Sequence, residues 1–532
     1  MSDAVNPAAA PRPAALLTPP IPVLRAGQRF TFDSVVGSAD AALLAQMAIA
    51  YRAHYSQFVV FCASATDAQR LLEEIPSFAP QLRIRLLPDW EILPYDHFSP
   101  HQDLISERLA TLYEMQNGTC DLILMPVTTA LQRLAPPAFL SAHTFFFRQG
   151  ERLNEEALRL QLQQAGYDPV SAVMRPGEYS IRGGLIDLFP MGSSLPYRLN
   201  LFGDEIEHIR AFDPDTQRSL YPVKEIRLLP GHEFPFDEAS RTAFRGRWRE
   251  YFEGDPTRCA IYKDVSTGIP TAGIESYLPL FFDETTTIFD YFVRSNESDH
   301  HHAICVGYVG DIETSITQFW KDTEQRYDFL KHDLERPVLK PHDLFLSLEQ
   351  FYTIAKPYPR FVLQSQTTLD SSTEPVFTPL PDVAVHRRDA DPLKRLRQLV
   401  AQNEWRILIC AESAGRLESI RQLIEESNLG ASEDVEFALH PQSVNTIADF
   451  MKGNERFGCC VSPLFNGFVW QPQQLLLITE AELFTQTARQ RRSKETSNTD
   501  PDTLFKDLSE LKVGDPVVHV SMALVVTKAW YY

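Results

Sequence analysis

The stretch Ser34-Val35-Val36-Gly37-Ser38-Ala39-Asp40-Ala41-Ala42 precedes a helical run, at a place where a nucleotide-binding loop could hold phosphate. Such a loop needs glycines so that backbone N–H groups can wrap the phosphate. It also needs a lysine to neutralise the charge and a Ser or Thr hydroxyl for magnesium. Here Asp40 stands about where the lysine belongs and Ala41 about where the hydroxyl belongs. A carboxylate there repels a triphosphate. Two readings fit: a degenerate P-loop over Gly37, Ser38, Asp40 and Ala41, or an ordinary Ser-Ala helix start with Asp40 near the positive end of the helix dipole. Under both, ATP is not expected to bind here.

No intact Walker A, DExH-type acidic box, zinc signature or GxSxG stands elsewhere in the chain. Asp299-His300-His301-His302 reads as a solvated loop before it reads as a metal site, and Cys459-Cys460 as core or strand edge. Glu275 and Asp89 lack a partner carboxylate at a spacing suited to acid–base work. The expectation is therefore a chain that is not an enzyme, with no catalytic residue, metal or cofactor of its own. The rival is an ATPase with a cryptic nucleotide site, which a nucleotide titration would separate.

Composition points the same way. Over 532 residues the hydrophobic share is 44% and the aromatic share 11%, enough for several packed cores. The formal net charge of -20 argues against a general phosphate-neutralising surface, so weak or no DNA binding is expected. Seven cysteines without a CxxC pair indicate a reducing compartment rather than a disulfide framework. No run approaches the roughly 20 apolar residues of a membrane span, and the Ala- and Pro-rich start reads as a flexible arm rather than a signal peptide. A cytoplasmic protein is expected.

The elements that must position any site change in texture along the chain. Asp40–Ala53 is helical by periodicity; Gln57–Cys62, Gln81–Leu87 and Cys120–Leu124 read as strands, with helices at Asp67–Ile75 and Ser106–Met115, a βα pattern for a parallel sheet. After a helix near Leu153–Ala165, closed by Gly166, the strands Tyr179–Arg182, Gly184–Phe189, Tyr197–Phe202 and Glu205–Phe212 form an antiparallel meander with a Gly203-Asp204 turn. Strands at Arg406–Cys410 and Leu475–Thr479, with a helix over Ala411–Ile424, mark a second α/β unit. The expected layout is an arm (1–25), an α/β domain in two parts (26–127 and 218–348) around an inserted β-rich module (128–217), a further α/β domain (349–484), a polar linker (485–503) and a short β stub (504–532).

Two segments carry a family resemblance. One is Leu87-Pro88-Asp89-Trp90-Glu91-Ile92-Leu93-Pro94-Tyr95-Asp96, continuing to Leu109. The other is Arg175-Pro176-Gly177-Glu178-Tyr179-Ser180-Ile181-Arg182-Gly183-Gly184-Leu185-Ile186-Asp187-Leu188-Phe189-Pro190, with Leu201-Phe202-Gly203-Asp204-Glu205-Ile206-Glu207 and Phe212-Asp213-Pro214 after it. Together they resemble the N-terminal half of the bacterial transcription-repair coupling factors (Mfd), itself similar to the excision-repair protein UvrB. The resemblance implies a degenerate helicase-like α/β domain without its P-loop and an inserted module that binds UvrA. It also implies a small domain gripping the RNA polymerase β subunit, and, in the full-length family, a translocase using ATP and magnesium.

Within the module, Arg182 is the first candidate for contacting UvrA and Arg175 the weaker basic one, while Phe189 reads either as the apolar anchor or as a buried core residue. A planar guanidinium pairs bidentately with carboxylates, and hot spots often join Arg to an aromatic. Relatives carry a basic residue where Asp168 stands. Gly514–Val520 resembles the opening strand of the polymerase-contacting domain, which in relatives runs into a His-Gly-Ile-Gly-Arg-Tyr-type segment. Here Ser521–Tyr532 follows instead, and shifting its back-translated codons by one base can restore that run. A one-base lesion near codon 521 is therefore expected, so that motor and most of the polymerase grip are missing; resequencing tests it.

Overall fold

A computed structural model describes residues 23–52, 54–292, 304–365, 375–386, 389, 391–402, 404–429 and 438–484, together with the backbone of two strands beyond them. The expected arm up to residue 22, the His300–His302 run, the linker and the ends of the stub lie outside the described residues; at the arm's end Leu24 is already buried, its N–H donating to the Tyr55 hydroxyl at 2.9 Å.

The first sheet opens with β1 (Arg29–Phe32), β2 (Gln57–Cys62), β3 (Ile84–Leu86) and β4 (Leu122–Pro126). The chain then leaves for the inserted module: β5 (Phe145–Arg148), β6 (Asp168–Pro169), β7 (Glu178–Arg182), β8 (Leu185–Leu188), β9 (Tyr197–Phe202), β10 (Glu205–Phe212), β11 (Ser219–Val223) and β12 (Glu225–Leu228). It returns with β13 (Ile304–Val309) and β14 (Arg360–Leu363) to complete six strands in the order β1-β14-β13-β2-β4-β3, every pair parallel. A parallel sheet is covered on both faces, so its strands read as unbroken apolar runs; every residue of β2, β4 and β13 is buried. Alternation divides them. Val59, Phe61, Ile123, Met125, Val306 and Tyr308 face one core with the helices Gln102–Gln116 and Ile312–Leu330. Phe58, Val60, Cys62, Leu122, Leu124 and Cys305 face the other, with the helices Ala39–Ala50 and Ala65–Phe78.

The further α/β region adds β15 (Phe377–Thr378), β16 (Arg406–Ala411), β17 (Gln442–Ser443), β18 (Phe457–Val461), β19 (Phe468–Trp470) and β20 (Leu475–Thr479), ordered β15-β19-β20-β16-β18-β17. Cys459 and Cys460 are buried in β18. Its helix spans Ala414–Leu429 rather than Ala411–Ile424, because Ala411 still belongs to β16. This sheet shares the second core: Leu408, Cys410, Phe468, Trp470 and Leu477 join one cluster with Leu43, Leu44 and Met47. The helix Ala39–Ala50 is therefore apolar nearly all round, as a helix held between two sheets must be.

Three expected boundaries move. β14 hydrogen-bonds inside the first sheet, so the α/β domain reaches Leu363 and does not stop at 348. Gln132 and Leu134 bridge to Phe345 and Thr286, which keeps residues after 128 in that domain. The module's sheet, β11-β10-β9-β8-β7-β6, continues to Val223 rather than ending at 217, and β5 pairs with β12 at its neck. Each miss has one cause: sheet membership is decided by partners far away in sequence. Residues beyond Leu483 form a unit of their own, with β21 (Pro516–His519) antiparallel to β22 (Met522–Val526). No described helix is long and apolar enough to cross a membrane.

Glu275 lies buried beside the neck, accepting a 2.7 Å hydrogen bond from the Ser99 hydroxyl. Burial pushes its pKa up to about 7, and the nearby Glu233 carboxylate adds to this against the Ser99 bond. The folded chain thus holds a proton that the unfolded chain has released, so stability falls as pH rises from about 4.5 to about 7. Glu275→Gln cannot lose that proton. Urea unfolding at pH 5 and pH 8 should show a smaller loss in the variant than in the wild type; equal losses would refute the assignment.

Candidate docking face of the inserted module

The helix Glu155–Gln164 starts at Asn154, whose side chain accepts from the Ala157 N–H, and buries Leu158 and Leu162 one turn apart. Against it lie the inward residues of the sheet: Tyr179, Ile186, Leu188, Leu199, Ile206 and Ile209. Period-two alternation then fixes what the opposite face carries. The register aligns Ser180, Asp187, Arg198 and Arg210 in a row across β7, β8, β9 and β10. Arg182, Leu185 and Asn200 form the next row.

Asp187 is fully buried, yet it meets two guanidinium groups. Arg198 binds it in a fork, Nε to Oδ1 at 2.7 Å and Nη2 to Oδ2 at 2.9 Å, with its guanidinium 4.8 Å from the Phe212 ring centroid. Arg182 donates Nη2 to Oδ2 at 3.0 Å while its side chain stays 55% exposed. Hydrogen bonding to Asp187 leads the interactions that raise the pKa of Arg198. Arg210 is exposed. Arg182 and Arg198 thus share one hidden carboxylate, Arg210 stands one strand beyond Arg198 in the same row, and exposed Glu205 lies opposite Phe202.

The sequence candidates fare differently. Arg182 stands exposed on this face. Arg175 is exposed too, in the loop before β7, where its N–H donates to Glu178. It lies three residues before β7, whereas Arg182 ends that strand, whose length alone is roughly 13 Å at a strand's rise per residue, so the two are not one cluster. For Phe189 the core reading holds and the anchor reading is set aside. It is only 6% exposed and packs with Val173 and Phe212 in a small second core, because residues 170–174 fold back over that end of the sheet. The exposed aromatic is Phe202, at 79%, which the sequence reading passed over. Its signal was present: with Leu199 and Leu201 pointing inward, Arg198, Asn200 and Phe202 must share the outer face. Asp168, on β6 opposite Glu178, has its pKa raised by burial and by that like charge.

Of the residues expected as a degenerate P-loop, Ser38, Asp40 and Ala41 are buried and Gly37 is exposed, all away from the module and against residues 465–467 of the further α/β region. Gly37 takes φ +55°, and a Cβ there would lie 2.6 Å from the Gly467 carbonyl oxygen. Ser38 N–H donates to the Asn466 carbonyl at 3.1 Å, and its hydroxyl donates to Glu74 at 2.8 Å. Phe465 N–H donates to the same Glu74 oxygen at 2.7 Å. Arg70 grips Asp40 through both Nη atoms, at 3.0 and 2.5 Å, and reaches Glu74 at 2.8 Å. Ala41 is fully buried. The space before this helix is occupied by the backbone of residues 465–467.

Residues 145–234 match the family model for the UvrB interaction domain, coinciding with the module as the β5–β12 neck delimits it. Residues 400–483 match the model for the MFD D3 domain, over β16–β20. The transcription-repair-coupling factor of Escherichia coli is 38% identical over 500 residues, covering 93% of this chain and 42% of the relative. The chain belongs to the transcription-repair-coupling factor family. That of Haemophilus influenzae is also 38% identical, over 467 residues, covering 86% of this chain and 38% of the relative. The coupling factor of Myxococcus xanthus is 27% identical over 529 residues, covering 94% and 42%. The chain thus spans about two fifths of the coupling factors it matches in these organisms, and corresponds to their N-terminal portion.

Proposed function

We propose that this chain is the docking part of a coupling factor, recruiting UvrA through the outer face of β7–β10 to lesions where RNA polymerase has stalled. The observation that carries the proposal is the joining of Arg182, Arg210 and the 79%-exposed Phe202 on one sheet face of the UvrB interaction domain. An exposed phenyl ring on the same sheet face as exposed guanidinium groups is the composition of an interface hot spot, and the free donors of Arg182 and Arg210 suit partner carboxylates. In the cytoplasm, the polymerase β subunit would be met through the domain that begins near residue 504, and DNA weakly or not at all. ATP and magnesium belong to the motor of the full-length family. In this chain Asp40 and the 465–467 backbone would exclude a triphosphate, so no ATP turnover is proposed.

Titrating UvrA into the chain tests the docking reading. Arg182→Ala and Phe202→Ala should each weaken binding by about 1–3 kcal/mol. Wild-type chain that fails to bind UvrA, or two variants that bind as tightly as wild type, would overturn the reading.

A further inference from the structure

Asp187 cannot touch a partner, since it is fully buried, yet it sits under the middle of the proposed docking face. The Arg198 fork already satisfies one hydrogen bond to each carboxylate oxygen. The bond from Arg182 is additional, and it reaches out to a side chain that is more than half exposed. A guanidinium offers five N–H donors in a rigid plane. One bond inward to Asp187 therefore fixes that plane while leaving donors for a carboxylate arriving from outside.

We infer that Asp187 is a positioning residue for UvrA docking, holding Arg182 in its binding orientation from beneath the sheet surface. The inference rests on the docking reading above. An untethered surface arginine loses rotamer freedom when a partner immobilises it; one already tethered loses less, and the saving appears as affinity. Asp187 also separates the positive charges of Arg182 and Arg198, which share its Oδ2 atom. Without that carboxylate the two guanidinium groups repel, and Arg182 swings away.

The experiment is a double-mutant cycle in the full chain, read as UvrA affinity, with thermal melting of each variant. Asp187→Asn keeps the shape and removes the charge. It should weaken UvrA binding by about tenfold, the scale of one charge-assisted hydrogen bond. In an Arg182→Ala background the same change should weaken binding by less than about twofold, since the group it positions is gone. Arg182→Lys retains the charge without the planar fork and should lose nearly as much as Arg182→Ala.

The inference is overturned if Asp187→Asn binds as wild type while Arg182→Ala is weakened. It is equally overturned if the Asp187→Asn loss recurs in full beside Arg182→Ala, which marks a general structural effect. Should Asp187→Asn melt before it can be titrated, Arg182→Lys decides: binding within about twofold of wild type shows that charge alone suffices and defeats the inference. If Arg182→Ala itself has no effect, the docking reading has failed, and this inference with it.

Discussion

Replacing Arg108 with alanine should destabilise the chain by about 3–5 kcal/mol, measured as the loss in urea unfolding free energy. Arg108 has no solvent exposure. It gives Nε to Glu233 at 2.5 Å, Nη1 to the Pro88 carbonyl at 2.8 Å and Nη2 to Gln132 at 2.9 Å, and lies 5.1 Å from the Trp90 ring centroid. Truncation leaves Glu233, only 5% exposed, as a buried carboxylate without its counter-ion. Desolvation then acts unopposed, which is why breaking such a pair harms more than replacing it whole. Arg108→Met combined with Glu233→Leu should accordingly recover most of the loss. The pair matters for docking because it joins the helix Gln102–Gln116 to the chain just after β12, where the module returns to the α/β domain. A loss below about 1 kcal/mol for Arg108→Ala would mean that water reaches Glu233 and that this neck is looser than described.

Arg70→Ala should have an effect of similar size, about 3 kcal/mol, felt at the junction of the two α/β sheets. Arg70 is 18% exposed by side chain, whereas its partners Asp40 and Glu74 are 9% and 1% exposed. Removing the guanidinium leaves two carboxylates close together and poorly solvated. Burial already raises the pKa of Glu74, against the pull of Arg70. Protonated Glu74 would accept more weakly from the Phe465 N–H, so the loop at 465–467 should lose its hold on the helix start. Amide hydrogen exchange reports this directly: exchange at Phe465 and Asn466 should quicken in the variant. Unchanged exchange there, with unchanged unfolding, would show that the contact contributes little to holding the two sheets together.

The parts legible in the sequence are those with a local physical cause. Gln57–Cys62 and Arg406–Cys410 announce buried strands because, after the first residue of each, five and four apolar residues follow in succession with no polar face to offer solvent. The meander from Tyr179 to Phe212 announces itself by alternation and by its Gly203 turn. Arg182 was legible because the same alternation places it outward.

What the sequence could not show depends on distant partners. The sequence left Phe189 open between core and surface; Val170 and Val173, packing against it from outside the strands, decide it. Assignment of Arg360–Leu363 to the first sheet follows from pairing with β1 and β13. The fate of Gly37 and Ser38 was least legible, because what fills the space before them comes from residues 465–467. Asp40 and Ala41 made phosphate unexpected there; only the folded chain shows the 465–467 backbone lying against Gly37 and Ser38.

Site-specific photocrosslinking tests the central claim most directly. A crosslinking residue at position 202 and another at position 329 replace phenylalanines of similar exposure, 79% and 77%, the second on the helix Ile312–Leu330 outside the module. With UvrA added, the position-202 probe should capture it and the position-329 probe should not. Equal capture from both, or capture from 329 alone, would contradict docking through the Arg182–Phe202 face.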